Sequence, residues 1–366
     1  MSSSKIQSAN DHSTRFFGLD IIRAIAIILV VIGHGNFILK NTRFNHFPYI
    51  NLIDGVDIFF VLSGFLIGKI LLKEIDSDPR FGLKKLKRFW ERRWLRTLPN
   101  YYLILLANYL VVHYQIINED INQFSWKFIF FLQNFSSPFY GFFWESWSLS
   151  VEEWFYVSTP ILLVLSLKVF NPKKSFLIVT ILMLVLPLWY RSSIVNPNID
   201  DNWYDLSFRK LVITRLDSIA YGLLGAWIFN YFNQYWEKFK TLSFIIGISL
   251  IVLITNYESA NITFYKQVVY FAITPFSVML LLPYAQSVKT QRGLLSKSIT
   301  HISKISYSMY LINLALVAEV IRDNFPPKSE WDAIAKYVIY WSIVIIASSL
   351  IYKYFEKPIL NWRDRR

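Results

Sequence analysis

The chain has no cysteine in its 366 residues, so disulfides, thiolate nucleophiles and cysteine-bound metals are excluded at once. Histidine is scarce too. The five histidines fall at positions 12, 34, 46, 113 and 301, without the short spacings that gather metal ligands, and no metal site is expected. Acidic residues are few beside basic ones, 25 against 38, leaving a formal charge of +13. No internal repeat or low-complexity tract is present, and the connections 118–146 and 195–210 are too short to fold alone.

Apolar side chains fill the chain instead: 54% of residues are hydrophobic and 18% aromatic, more than one soluble core of this length needs. This predicts an all-α fold, a polytopic transmembrane helical bundle. In such a protein Lys and Arg gather in cytoplasmic loops beside anionic membrane lipids, so the charge does not point to nucleic acid. Stretches near the ~20 residues that a helix needs to cross a bilayer cover 16–39, 52–72, 99–117, 147–170, 175–194, 211–230, 241–258, 267–286, 304–322 and 333–352. That makes about ten spans with both termini cytoplasmic. The arrangement puts 25 of the 38 Lys and Arg on the cytoplasmic side and 9 outside, the expected bias.

Residues 1–15 read as a cytoplasmic tail, 16–355 as the membrane domain and 356–366 as a basic cytoplasmic tail. The first apolar stretch is too long for a signal peptide, contains Arg23 and lacks a small-residue cleavage site. The short apolar segment 124–135 suits a re-entrant or interfacial helix on the outer face.

Ionisable side chains at membrane depth are costly and mark functional candidates. Asp20, Arg23 and His34 fall within about 60° on the first helix, one polar stripe that must face protein. His34 lies between Gly33 and Gly35 toward the outer end. Asp20 is roughly 21 Å away along the helix, so a carboxylate orienting the imidazole has to come from another helix. Asp57 on the second span, and Glu152 and Glu153 on the fourth, are expected at that depth, where a histidine and carboxylates suffice for general acid–base work. The plainer reading of these acids is helix N-terminus chemistry. Toward the inner side Arg92, Arg93 and Arg96 form a cationic face suited to phosphates by bidentate hydrogen bonding; for Arg92 alone a positive-inside stop signal binding lipid headgroups is the preferred reading, and Arg93 and Arg96 are the better candidates. Arg23 and His34 are about 16 Å apart along the helix. A donor held by its phosphates at the arginines needs a thin arm of that length, as coenzyme A has.

The motifs Leu19-Asp20-Ile21-Ile22-Arg23-Ala24 with His34, Gly55 to Ile67, Arg92 to Tyr102 and Ser146 to Tyr156 resemble successive blocks of the membrane-bound acyltransferase 3 family. Weaker agreement continues through Arg215 to Gly222, Ile305 to Leu311 and Phe355 to Pro358. The resemblance implies a bacterial inner-membrane enzyme that takes an acyl group, acetyl by default, from cytoplasmic acyl-CoA to a hydroxyl of a surface polysaccharide or its lipid-linked precursor. It implies an essential His34, with Arg23 in the signature and Arg93 and Arg96 handling the donor. Relatives often carry a histidine where this chain has Asn313. The sequence shows no appended esterase-like domain of the kind some relatives have, so the membrane part or a separate partner is expected to complete the transfer.

His34 can serve as a base for direct attack or as an acyl carrier, and both routes stay open. The competing class is a transporter or flippase whose buried charges relay protons; no inverted repeat supports it. Acceptor specificity is expected in the outer loops 40–51, 118–146 and 195–210. Their aromatics (Trp126, Phe139, Tyr140, Phe142, Trp144, Trp203 and Tyr204) suit stacking on sugars or an interfacial belt.

Overall fold

The computed structural model describes residues 16–40, 42–44, 53–78, 81–257, 264–289 and 293–365. The tail 1–15, most of the loop 40–51, and Arg80 and Arg366 of the basic segments lie outside the described residues. Ten longer helices are found among the described residues: α1 Phe17–Gly35, α2 Gly55–Ser77, α3 Leu83–His113, α4 Ser146–Ser166, α5 Pro172–Ser193, α6 Leu216–Tyr231, α7 Lys240–Asn256, α8 Tyr270–Ser287, α9 Leu294–Ile312 and α10 Glu330–Ile351. No strand occurs among the described residues. Among the described residues six helical stretches, Phe17–Leu39, Gly55–Ser77, Pro172–Ser193, Tyr265–Ser287, Leu294–Asn324 and Glu330–Asp364, are long and apolar enough to cross a membrane. The chain is an integral membrane protein. The helix α3 begins sixteen residues before the expected span at 99, because its arginine-rich first half continues through Pro99 without a break.

The outward faces of α5, α7 and α10 carry exposed Leu182, Trp189, Ile245, Leu253, Ile339 and Ile346, as lipid-facing surfaces do. The helix α2 is instead buried on nearly all sides, and α1, α4, α6 and α8 pack around it. Its approach to α6 depends on facing glycines. A methyl group at Gly64 would drive into the Ile219 carbonyl, and one at Gly222 into the Val61 carbonyl, so neither position has room for any side chain. Gly222→Val is therefore expected to part the two helices and cost several kcal/mol, on the order of the worst overpacked cores. Loss of most monodisperse protein on size-exclusion chromatography would bear this out, whereas a normal yield and melting temperature would refute it.

The segment 124–135 is not the expected helix. Apart from the short 3₁₀ turn Trp126–Phe128 it is irregular, with Phe131 in the left-handed region at φ 57°. Helix side chains satisfy its carbonyls: Tyr101 Oη donates to Phe128 O (2.8 Å), Tyr102 Oη to Ile129 O (2.8 Å) and Trp154 Nε1 to Phe131 O (2.9 Å). Irregular backbone packed into protein in this way can lie at membrane depth. Through Gln133 and Asn134, which donate to Ser146 Oγ (3.2 Å) and Trp147 O (3.0 Å), it packs on the start of α4, at the end of the bundle where α1 ends and α2 begins.

Candidate active site

A cavity of about 390 Å³ opens at that end, within the usual size of small-molecule sites. His34 on α1, Asp54 at the cap of α2, Glu145 at the cap of α4, Arg209 and Tyr310 line it. The nearest partner of the imidazole is Asn313, with His34 Nδ1 and Asn313 Oδ1 2.6 Å apart. The Asn313 amide nitrogen donates to the carbonyls of Met309 (2.9 Å) and Tyr310 (2.8 Å), which turns Oδ1 toward the ring. A carbonyl oxygen only accepts, so this network assigns the proton to Nδ1 and leaves the Nε2 lone pair free. Asn313 opens a π-helical stretch, Asn313–Glu319, that continues α9, a local widening frequent at functional sites.

The carboxylates expected beside the imidazole are elsewhere. Asp57 is at the right depth, but it accepts a hydrogen bond from Arg215 Nη2, and both side chains are buried. Glu152 is about 10 Å deeper than the cavity layer, seven residues along α4 from Glu145. There it accepts from Tyr156 Oη (2.8 Å), to which Arg93 Nη2 also donates (2.7 Å). Ser63 Oγ lies 2.5 Å from the same hydroxyl. Glu153 accepts from Thr97 Oγ1 at 2.8 Å. These residues form a second polar layer among α2, α3 and α4, below the cavity.

Arg92, Arg93 and Arg96 of α3 do not present one common face. Arg93 enters the buried layer, with its guanidinium 4.5 Å over the Tyr156 ring. Arg96 is exposed one turn away. Arg92 is exposed and pairs with Asp364 of the short terminal helix Lys357–Asp364 (3.3 Å), so it serves as an external clamp. Arg23 donates to Ser303 Oγ on α9 (3.2 Å) and lies 3.4 Å from Asp20, whose Oδ1 also accepts from Ser303 (2.8 Å).

Several cavity residues were not singled out from the sequence. Glu145 is 2% exposed; its Oε1 accepts from the Ala315 N–H (3.3 Å), and its Oε2 has no protein partner. Arg209 holds Asp54 Oδ2 through Nε (3.0 Å) and Nη2 (2.6 Å), and it sits 5.3 Å from the Trp147 ring. It also pairs with Asp205 at 2.8 Å, as Lys210 does at 2.5 Å. Burial would raise the Asp205 carboxyl, but the Arg209 and Lys210 charges beside it hold it below the usual carboxylate range. The basic pair in a short connection and the acid preceding the Trp-Ser block were the available signals. Neither falls within an apolar span.

Residues 16–353 match the model of the acyltransferase 3 family, described as an acyltransferase domain. The chain belongs to this family. Among its relatives, a provisionally named O-acetyltransferase of Staphylococcus aureus (strain MRSA252) is 28% identical over 387 residues, covering 95% of this chain and 59% of the relative. The peptidoglycan O-acetyltransferase OatA of Listeria monocytogenes is 26% identical, covering 93% of this chain and 55% of its own. YrhL of Bacillus subtilis, provisionally named a peptidoglycan O-acetyltransferase, is 31% identical over half of this chain and 29% of its own. The chain thus spans less than two thirds of these relatives. No solved structure matches it. For an acyltransferase-family chain, the free Nε2 of His34 in a polar cavity is the feature that can do group-transfer chemistry.

Proposed function

We propose that the protein is a membrane-bound O-acyltransferase that moves an acyl group, probed most simply as acetyl, from cytoplasmic acyl-CoA to a hydroxyl of a cell-surface polysaccharide or its lipid-linked precursor. The reading places it in a bacterial inner membrane with about ten spans and both termini cytoplasmic, supported by the overlap of each apolar stretch with a helix. The observation that carries the reading is His34, which lines the cavity with Nδ1 committed to Asn313, so that Nε2 is the nitrogen left for chemistry.

In the direct route Nε2 takes the proton of the acceptor hydroxyl as its oxygen attacks the thioester carbonyl. The new C–O bond forms, the C–S bond breaks, and the imidazolium proton goes to the departing thiolate. An acyl-histidine route uses the same nitrogen. Glu145 Oε2 is available to accept a neighbouring hydroxyl of the acceptor. On the donor side Arg96, exposed one turn from Arg93, and Arg23 are the candidates for the CoA phosphates. The donor's arm would pass the Ser63–Tyr156 layer, about 12 Å below the cavity by the rise of α2.

Asn313 acts through His34 as a positioning residue. Asn313→Ala is expected to lower kcat about tenfold with little change in acceptor KM, since one orienting hydrogen bond is lost. Asn313→Asp restores an acceptor at that place and should recover the rate. Unchanged kcat in Asn313→Ala would remove Asn313 from the mechanism.

The function is tested with radiolabelled acetyl-CoA and sealed vesicles of both orientations, carrying the glycans of the native host. Label entering the polysaccharide or lipid-linked fraction when acetyl-CoA meets the cytoplasmic face is the expected result. Label entering only from the opposite face would overturn the topology, and no label in either orientation would overturn acetyl transfer.

A further inference from the structure

A smaller cavity of about 260 Å³ adjoins the His34 cavity, and the two share Asp54, Arg209 and Tyr270. Three further tyrosines, Tyr204, Tyr257 and Tyr265, border it together with Phe271. The Tyr257 and Tyr265 rings meet edge to face at the junction of α7 and α8, with centroids 4.6 Å apart. Tyr204 stacks on Phe271 at 5.9 Å, and its hydroxyl donates to the Lys266 carbonyl at 3.2 Å. An aromatic belt facing lipid has no need of an enclosed volume behind it. Here the rings stand around such a volume, mostly apolar in its lining, and the Asp54–Arg209 ion pair lies on its boundary with the first cavity.

Aromatic faces beside a carboxylate and a guanidinium are the chemistry of sugar binding. The rings cover the apolar C–H face of a pyranose, and the charged groups take its hydroxyls. Two such spaces in sequence, with the acylating nitrogen in only one, fit a chain of sugars better than one sugar.

We propose that the second cavity is a subsite for the sugar adjacent to the one being acylated, so that the acceptor is an oligosaccharide. The inference rests on the glycan acceptor proposed above. The linkage between the two sugars crosses at Asp54 and Arg209, and Tyr257 and Tyr265 hold the second ring. Arg209 then serves both cavities.

The test uses detergent-purified protein, radiolabelled acetyl-CoA, and N-acetylglucosamine as monosaccharide, β-1,4-linked disaccharide and tetrasaccharide. Wild type is expected to label the disaccharide about tenfold better than the monosaccharide, the difference that one well-placed stacked ring provides. The double variant Tyr257→Ala/Tyr265→Ala should bring the ratio near one, and Tyr257→Phe/Tyr265→Phe, which keeps both rings, should preserve it. A ratio near one in wild type, or one that survives the alanine pair, overturns the subsite. Saturation-transfer NMR of the tetrasaccharide without acyl-CoA reads the same contact independently of turnover. Transfer to the sugars that persists undiminished in the alanine pair also counts against it. Absence of label from every sugar, with saturation transfer intact and sensitive to the alanine pair, overturns acetyl transfer to these sugars while leaving the sugar site standing.

Discussion

His34→Ala is expected to reduce acyl transfer by at least about 10³-fold, the scale of a well-placed acid–base group. The size follows from what else lines the cavity. Asp54 is held by Arg209 and by the Val56 N–H, and Lys210 is paired with Asp205. Glu145 is the rival base, since its Oε2 has no partner. The two can be separated because they predict different kinetics. If His34 is the base, Glu145→Gln keeps a hydrogen-bonding group and mainly raises acceptor KM, while His34→Ala removes kcat. Imidazole added to His34→Ala should restore part of the rate, because the substitution leaves a space of the right shape and Asn313 remains to orient the guest. A structural role for His34 predicts no such rescue. The measurement is the initial rate of label transfer at matched amounts of folded protein, with and without imidazole. A His34→Ala rate within tenfold of wild type would exclude the imidazole from the chemistry and pass the assignment to Glu145.

The helices were legible because each apolar stretch is long and bounded by charge, and each overlaps a helix in the structure. The site was legible only in part, and depth and partnership account for the difference. Placing Glu152 beside His34 assumed that both lie about five residues in from the ends of their helices, whereas α1 ends at Gly35, one residue past His34, so the layer lies at the helix caps. The fourth helix begins at Ser146, within one residue of the expected start, so the acid at its cap, Glu145, takes the cavity layer and Glu152 falls two turns below it. Partnership is still less visible. Asp57 pairs with Arg215, 158 residues away, and no local pattern encodes that choice. Segment 124–135 has helix-like composition, but its carbonyls are taken by Tyr101, Tyr102 and Trp154, so a tertiary network overrides local preference. Asn313 was marked by the family resemblance as a place where relatives often differ. Its contact with His34 required α1 and α9 to be brought together.

Asp57→Ala is expected to destabilise the fold by about 3–5 kcal/mol, because it leaves a buried guanidinium without its counter-charge. Arg215 is fully buried, and its Nε and Nη1 already lack hydrogen-bond partners. Its guanidinium lies 4.4 Å from the Phe271 ring and 5.8 Å from the Phe60 ring, so Asp57 is its principal electrostatic support. Arg191 and Asp217 form a second pair of this kind, at 2.5 Å, near the start of α6. Removing both members costs less than removing one, because no uncompensated charge is left inside. Asp57→Leu/Arg215→Met should therefore recover most of the folded yield and melting temperature in detergent that Asp57→Ala loses. Activity per folded molecule then decides what Asp57 does. If its work is to hold Arg215 and the loop that carries Arg209, the double variant transfers acyl groups at a rate close to wild type. If Asp57 takes part in the chemistry through the second cavity, which it lines, the double variant is well folded and inactive. The ion pair, and the place of Asp57 outside the lining of the His34 cavity, favour the first outcome, in which the acid is retained for the fold and the imidazole works with a neutral amide.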